Sequence, residues 1–373
     1  MRKGKRLIAW IMAVVMLFTI CVFDGNGTAE AAATTPVAKH GRLSVKGADL
    51  VDSKGNKFQL RGISTHGINW DVGSPYVNKK AFKTLRDDWG VNAIRLAMYT
   101  EEYNGYCSGG SQAKLRKQVD KGVGYATDLG MYAIIDWHIL SDGNPNKNKS
   151  QAKKFFTTMA KKYKNNKNVI YEICNEPNGC GWKEIKSYAT DIIKTIRKYD
   201  KKAVIIVGTP TWSQLGTDGT SNEVADSPIK GYKNIMYSLH FYASEWAHNE
   251  YLPAKVAYAR KKKLPIIVSE FGLSPASGDG AINKASADKW MKLLNKYNIS
   301  YFCWSLSNKN ESASLLKPST KKPPAGSQVT YPQQESISRR NILRERKLLA
   351  RKHSDHVYEI NSNIGRQPDG LFV

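Results

Sequence analysis

Glu176 lies in Ile173-Cys174-Asn175-Glu176-Pro177 and Glu270 in Ser269-Glu270-Phe271-Gly272, each at the end of a run that reads as a buried strand. Similar runs elsewhere end in groups of the same polar and aromatic kind. His66 and Trp70 follow the first, Arg95 and Tyr99 belong to the second, and Trp137-His138 close the third. Trp212 follows the fifth, His240 and Tyr242 end the sixth, and Trp304 lies in the eighth. A carboxyl pair whose members sit in different surroundings can protonate a leaving oxygen with one group and attack, or activate water, with the other. That is the equipment for cleaving a glycosidic bond, and it needs no cofactor. Arg95 and the Tyr242 hydroxyl could hold Glu270 ionised. Glu176 would then be the proton donor, kept neutral partly by the charge on Glu270. Tryptophan faces suit the flat C–H surfaces of sugar rings.

Each of these residues also has an ordinary use. A strand-end glutamate is more often an ion-pair partner than a catalyst, His138 and His240 could be satisfied core histidines, and Trp304 could simply pack the top of the fold. Metal binding through Asp136, His138 or His240 is another use, but no third ligand has distinctive spacing, and no metal is expected. The joint occurrence of pairable residues at nearly every strand end favours a site.

Such a site requires elements that bring the strand ends together. The strand candidates are Phe58–Thr65, Asn92–Met98, Tyr132–His138, Val169–Pro177, Ala203–Pro210, Asn234–Tyr242, Leu264–Gly272 and Ser300–Leu306. Lysine-rich segments of helical period lie between them: Lys79–Trp89, Ser111–Leu129, Ser150–Lys164, Lys183–Tyr199, Glu250–Lys263 and Lys284–Tyr297. A strand-turn-strand opening, Leu43 to Leu60, is expected to turn at Asp52-Ser53-Lys54-Gly55-Asn56. Helical connections of this length argue for parallel strands. A doubly wound open sheet is disfavoured, because no GxGxxG follows an early strand and the polar ends are not confined to one switch point. The expected fold is an α/β (β/α)8 TIM barrel, whose strand ends converge on one face.

Composition is consistent with such a domain: the 373 residues are 41% hydrophobic and 24% charged, which excludes a wholly disordered chain and a disulfide-stapled miniprotein. The net charge of +25 comes largely from lysines on the amphipathic segments, such as Lys153-Lys154, Lys161-Lys162, Lys201-Lys202 and Lys261-Lys262-Lys263. No nucleic-acid motif accompanies them, so a solvated outer face is the expectation and no nucleic-acid partner is expected. Residues 1–33 read as a secretory signal peptide. A cationic MRKGKR precedes the apolar stretch Leu7 to Phe23, and Ala31-Ala32-Ala33 offers a cleavage site. The chain is therefore expected to be secreted and extracellular, with no stable membrane anchor after cleavage, and to act as a monomer. Cys21 leaves with the leader. Cys174 and Cys303 read as buried thiols, Cys107 and Cys180 could pair across their loops, and no spacing resembles a zinc site.

Together, Asn175-Glu176-Pro177, Ser269-Glu270-Phe271-Gly272, His240-Phe241-Tyr242 and Thr65-His66-Gly67-Ile68-Asn69-Trp70 resemble, in order, the motifs of glycoside hydrolase family five. The resemblance runs from about Leu43 to Ser319 and is greatest to the bacterial endo-β-1,4-glucanase branch. It implies Glu176 as acid/base, Glu270 as nucleophile and Asn175 on the 2-hydroxyl of the sugar being cleaved. Arg95, His138, His240 and Tyr242 would surround the reacting centre, with His66 and Tyr99 among the substrate-binding groups. Trp70, Trp212 and Trp304 would be sugar platforms, and Lys309 and Glu311 would serve the non-reducing side of the cleft. The implied activity is endo-acting hydrolysis of cellulose and related β-glucans by a retaining double displacement. A β-mannanase or xyloglucanase of the same family, or a catalytically weak carbohydrate-binding barrel, is the alternative. In this division residues 34–320 form the catalytic domain. After Lys322 the resemblance fails. Residues 321–373 carry ten Lys or Arg against five Asp or Glu, a net of +5, with arginine largely replacing lysine. A genuine extension and a divergent last helix compete with a frameshifted or fused end, and the abruptness of the change favours the last.

Overall fold

The computed structural model describes residues 35–320, so the expected leader and the basic tail lie outside the described residues. Eight parallel strands close into a barrel, each paired with its neighbours in chain order and the last with the first. They are β1 (Arg61–Thr65), β2 (Ala93–Tyr99), β3 (Tyr132–His138), β4 (Val169–Glu172), β5 (Ile205–Val207), β6 (Ile235–Tyr242), β7 (Ile266–Gly272) and β8 (Tyr301–Leu306). The outer helices are α1 (Lys79–Trp89), α2 (Gln112–Asp128), α3 (Lys149–Tyr163), α4 (Trp182–Arg197), α5 (Trp246–Lys261) and α6 (Lys284–Lys296). Between β5 and β6 the chain makes only short helical turns, Pro210–Ser213 and Glu223–Asp226. Among the described residues no helix is long and apolar enough to cross a membrane.

Three expectations need correcting. β4 stops at Glu172, short of the Pro177 read from sequence, so Asn175 and Glu176 stand on the loop beyond it. The opening hairpin pairs Ser44–Lys46 with Asp49–Val51 and so turns at Gly47-Ala48. Asp52–Asn56 forms a second turn, in which the Asp52 carboxylate accepts the N–H groups of Lys54 and Asn56. Cys107 and Cys180 are not bridged to each other, and Cys174 and Cys303 are buried and form no disulfide.

Strand alternation divides the interior into storeys. Ala93, Tyr132, Ile134, Ile170, Met236, Ile267 and Phe302 point inward and meet Leu43 and Leu50 of the hairpin, which plug the lower opening. Outward residues such as Ile94, Leu96, Ala133, Ile135 and Trp137 pack under the helices. The paired lysines sit exposed on the outer surface. Leu315 and Leu316, beyond β8, are buried in the same outer core. Above the apolar plug comes a charged storey containing Arg95, Asp136 and Glu172, all fully buried.

β7 carries a bulge that matters for this upper storey. Ser238 of β6 pairs with Ile267 and His240 with Glu270, so two steps on β6 match three on β7. From the other side, Tyr301 pairs with Val268 and Cys303 with Phe271, which shows the same extra residue. Bulges re-aim side chains. Here consecutive residues, Ser269 and Glu270, both face the interior.

Candidate active site

Arg95 occupies the centre of the charged storey, one turn of the alternation below the strand ends. Its Nε donates to Glu172 Oε2 at 2.7 Å, Nη1 to Glu270 Oε2 at 2.9 Å, and Nη2 to Asn175 Oδ1 at 2.6 Å. Asp136 Oδ2 lies 3.1 Å from Nη2. Burial alone would make the guanidinium easier to discharge, but the carboxylates of Asp136, Glu172 and Glu270 reverse this and hold it charged. Arg95 is entirely enclosed, so it braces the site from below and does not face an incoming ligand.

Glu270 receives a second bond, 2.7 Å, from the Tyr242 hydroxyl to Oε1. Tyr242 can stand so close to β7 because Gly272 lacks a side chain: a Cβ there would lie 2.5 Å from the tyrosine ring. Burial, with the charges of Glu270 and Glu176, drives the Tyr242 pKa well above its usual value, so it stays a donor.

Glu176 sits in a different field. Its Oε1 shares a 2.8 Å hydrogen bond with His240 Nδ1, and its side chain is 13% exposed. Burial pushes its pKa up to about 8, with Asp136 and Glu172 adding to the rise and Arg95 opposing it. One carboxylate oxygen from Glu176, one from Glu270 and a nitrogen of His240 all lie within 4.8 Å of one another. These donors are close enough to hold a metal ion, although hydrogen bonds already join His240 to Glu176 and Glu270 to Arg95 and Tyr242.

The other expected residues divide between support and surface. Asn175 is fully buried: its amide donates to the carbonyl of Ile139 at 3.1 Å and to His138 Nε2 at 3.2 Å, while its oxygen takes Arg95. His138 therefore carries its proton on Nδ1 and donates it to Asp136 Oδ2 at 2.6 Å. Trp304 stacks on His138 with centroids 5.3 Å apart, and His66, Trp70 and Tyr99 continue this aromatic wall. Burial lowers the pKa of His66 and of His138 to about 3, so both rings are neutral. Lys309 pairs at 2.5 Å with the largely covered side chain of Glu311, which lies 3.8 Å from His66 Nε2. Trp212 is 43% exposed on a segment of left-handed backbone, and its backbone N–H donates to the Pro177 carbonyl at 3.2 Å, beside the Glu176 loop.

Two supporting residues escaped the sequence reading. Glu172 had a usable signal, since a carboxylate inside the apolar run Val-Ile-Tyr-Glu must be paired if it is buried. Ser269 had none, because strict alternation assigns only one of Ser269 and Glu270 to the interior.

A closed eightfold barrel that presents two carboxylates across one cleft at the C-terminal ends of its strands has the architecture of barrel glycosidases. Residues 51–310 match the family model described as Cellulase (glycosyl hydrolase family 5), and the chain belongs to that family. It is 47% identical over 281 residues to Endoglucanase A of Butyrivibrio fibrisolvens, covering 74% of this chain and 63% of that protein. It is 47% identical over 316 residues to an endoglucanase of Clostridium saccharobutylicum, covering 84% of this chain and 67% of the relative. The chain thus spans less than two thirds of the Butyrivibrio protein's length. Among solved structures, the catalytic domain of Thermobifida fusca endoglucanase Cel5A in complex with cellotetraose aligns with a TM-score of 0.77 at 35% identity, covering 83% of this chain and 99% of that one. The alkaline cellulase K catalytic domain aligns at 0.72 and 32%, covering 84% and 96%.

Proposed function

We propose that this chain is a secreted endo-acting β-1,4-glucanase that cleaves internal bonds of cellulose and related β-glucans with retention of anomeric configuration. The observation that carries this reading is the unequal carboxyl pair: Glu176 and Glu270 bring oxygens within 4.8 Å, one held by a guanidinium and a phenol, the other by a neutral imidazole. Carboxyl groups about 5–5.5 Å apart suit direct attack, whereas about 6.5–9.5 Å is needed to admit a water for inversion.

In this mechanism Glu270 attacks the anomeric carbon as Glu176 gives its proton to the departing glycosidic oxygen. The C–O bond to the leaving chain breaks and a glycosyl ester forms on Glu270. Glu176, now a carboxylate, takes a proton from water, whose oxygen attacks the same carbon and releases Glu270. His66, Trp70, Tyr99 and Trp304 form the wall along which sugar rings would lie, with Lys309 and Glu311 on one side and Trp212 on the other. The endoglucanase names of the relatives and the cellotetraose in one solved neighbour support a glucan substrate. The cationic and apolar start of the sequence supports export, and 34–320 is the proposed catalytic domain. The test is hydrolysis of carboxymethylcellulose, glucomannan and xyloglucan side by side, with proton NMR of the first product. Rapid viscosity loss on carboxymethylcellulose and a β-anomer formed first are expected. An α-anomer formed first would exclude retention, and preference for glucomannan or xyloglucan would reassign the substrate.

A further inference from the structure

A continuous line of hydrogen bonds runs beneath the cleft from Glu172 to Glu176. Glu172 is fully buried; Arg95 Nε occupies its Oε2, and Ser269 Oγ lies 2.6 Å from its Oε1. Ser269 Oγ also lies 2.9 Å from His240 Nε2 and 2.5 Å from Ser238 Oγ. His240 Nδ1 closes the line on Glu176 Oε1 at 2.8 Å.

A hydroxyl has one hydrogen to give, and a carboxylate can only accept. We propose that Glu172, as the carboxylate paired with Arg95, takes the Ser269 hydrogen and thereby fixes the tautomer of His240, so that His240 cannot donate to Glu176. With its hydrogen committed, Ser269 must accept from its other neighbours, so His240 carries its proton on Nε2. Burial lowers the His240 pKa to about 4, so the ring is neutral and Nδ1 is bare. The proton in the Glu176–His240 bond then belongs to Glu176. Glu172 and Ser269 are positioning residues acting through His240. The opposite tautomer would donate from Nδ1 to Glu176, favour its carboxylate form and make it a poorer acid.

The charged or titratable groups facing Glu176 and His240 are Arg95 and Tyr99 from β2, Asp136 and His138 from β3, Glu172, Tyr242, Glu270 and the α5 residue His248. All of them remain in Ser269→Ala, which removes only the hydroxyl. In Glu172→Gln the amide can donate to Ser269 and turn its hydrogen towards His240, which makes this the stronger test of direction.

The inference rests on Glu176 being the acid, so its test has one arm that needs no turnover. Nitrogen-15 NMR of histidine-labelled protein, with the His240 signals assigned by difference from His240→Gln, reads the tautomer directly. Nε2–H is expected in the unsubstituted chain, with Nδ1–H gaining in both variants. The second arm is the pH profile of kcat/KM. In both variants its alkaline limb should move to lower pH by about one unit or more, the size expected when a carboxylate gains a buried donor. At the pH where carboxymethylcellulose hydrolysis has fallen tenfold, a dinitrophenyl cellobioside, whose leaving group needs no proton, should lose less than about twofold. An Nδ1–H tautomer in the unsubstituted chain, an unmoved limb, or equal losses on both substrates would overturn the proposal. Failure to hydrolyse either substrate would refute the proposed function instead, and the tautomer would still be read.

Discussion

Glu270 is reached by Arg95 at 2.9 Å and Tyr242 at 2.7 Å, whereas Glu176 shares its hydrogen bond with a neutral imidazole. These neighbours imply different responses to the same substitution. Glu270→Gln should abolish turnover while leaving oligosaccharide binding largely intact, because the amide keeps the shape but cannot form the glycosyl ester. Glu176→Gln should lose cellulose hydrolysis yet keep substantial activity on an aryl cellobioside with an acidic leaving group; steady-state kinetics on both substrates check the pair. The pH dependence follows from the same contrast. The acid must be protonated, and burial raises the Glu176 pKa to about 8, so kcat/KM should hold at neutral pH and fall as pH rises through that value. A profile already falling below pH 6 would show that Glu176 is not the group being titrated. Trp304 belongs at this scale too. It is 5% exposed and stacked on His138, so Trp304→Ala should weaken oligosaccharide binding by about 1–3 kcal/mol through lost ring contact and a loosened imidazole, measured by calorimetry.

Among the elements, β6 and β7 bring the Tyr242 hydroxyl against Glu270, and Gly272 sets how near they come. Gly272→Ala places a methyl 2.5 Å from the Tyr242 ring, so the phenol must leave Glu270. Turnover should fall by about tenfold or more, the cost of one charge-assisted bond at the proposed nucleophile, with unchanged far-ultraviolet circular dichroism. The eight strands were legible because β-branched runs alternate with lysine-rich helical segments, and α1 was read to the residue from a periodic stretch stopped by Gly90. The carboxyl pair was legible because strand ends converge in a barrel. Less visible was what depends on register. Arg95 reads as a partner of Glu270 and is one, but its complete enclosure at the centre of the charged storey depends on register, and Asn175 reads as a substrate contact although its polar atoms are also bonded within the protein. Spacing indicates that such residues meet; the direction each side chain takes depends on strand pairing.

At the scale of the molecule, cohesion and chemistry occupy opposite ends of one barrel. The hairpin and the lowest inward residues form a closed apolar plug, and the ionisable groups begin a storey above. Leu50→Ala in the plug should cost about 2–5 kcal/mol, as expected for an emptied core site, and lower the denaturant midpoint. Below that midpoint kcat/KM should be unchanged, because Arg95 and the storeys above it retain their contacts. A matching loss of turnover would mean that the plug also sets the register of the upper storey.

The extra residue in β7 has a consequence for how this chain can tolerate change. Ile267 and Ser269 face inward at odd positions, Glu270 and Gly272 at even ones, so the strand is written in two phases joined at the bulge. Without the splice, one inward position at that height would have to serve either as nucleophile or as relay hydroxyl. A chain shortened by Ser269 could restore plain alternation and keep Glu270 pointing inward. It would still attack, but nothing would remain to determine which atom of His240 holds the hydrogen.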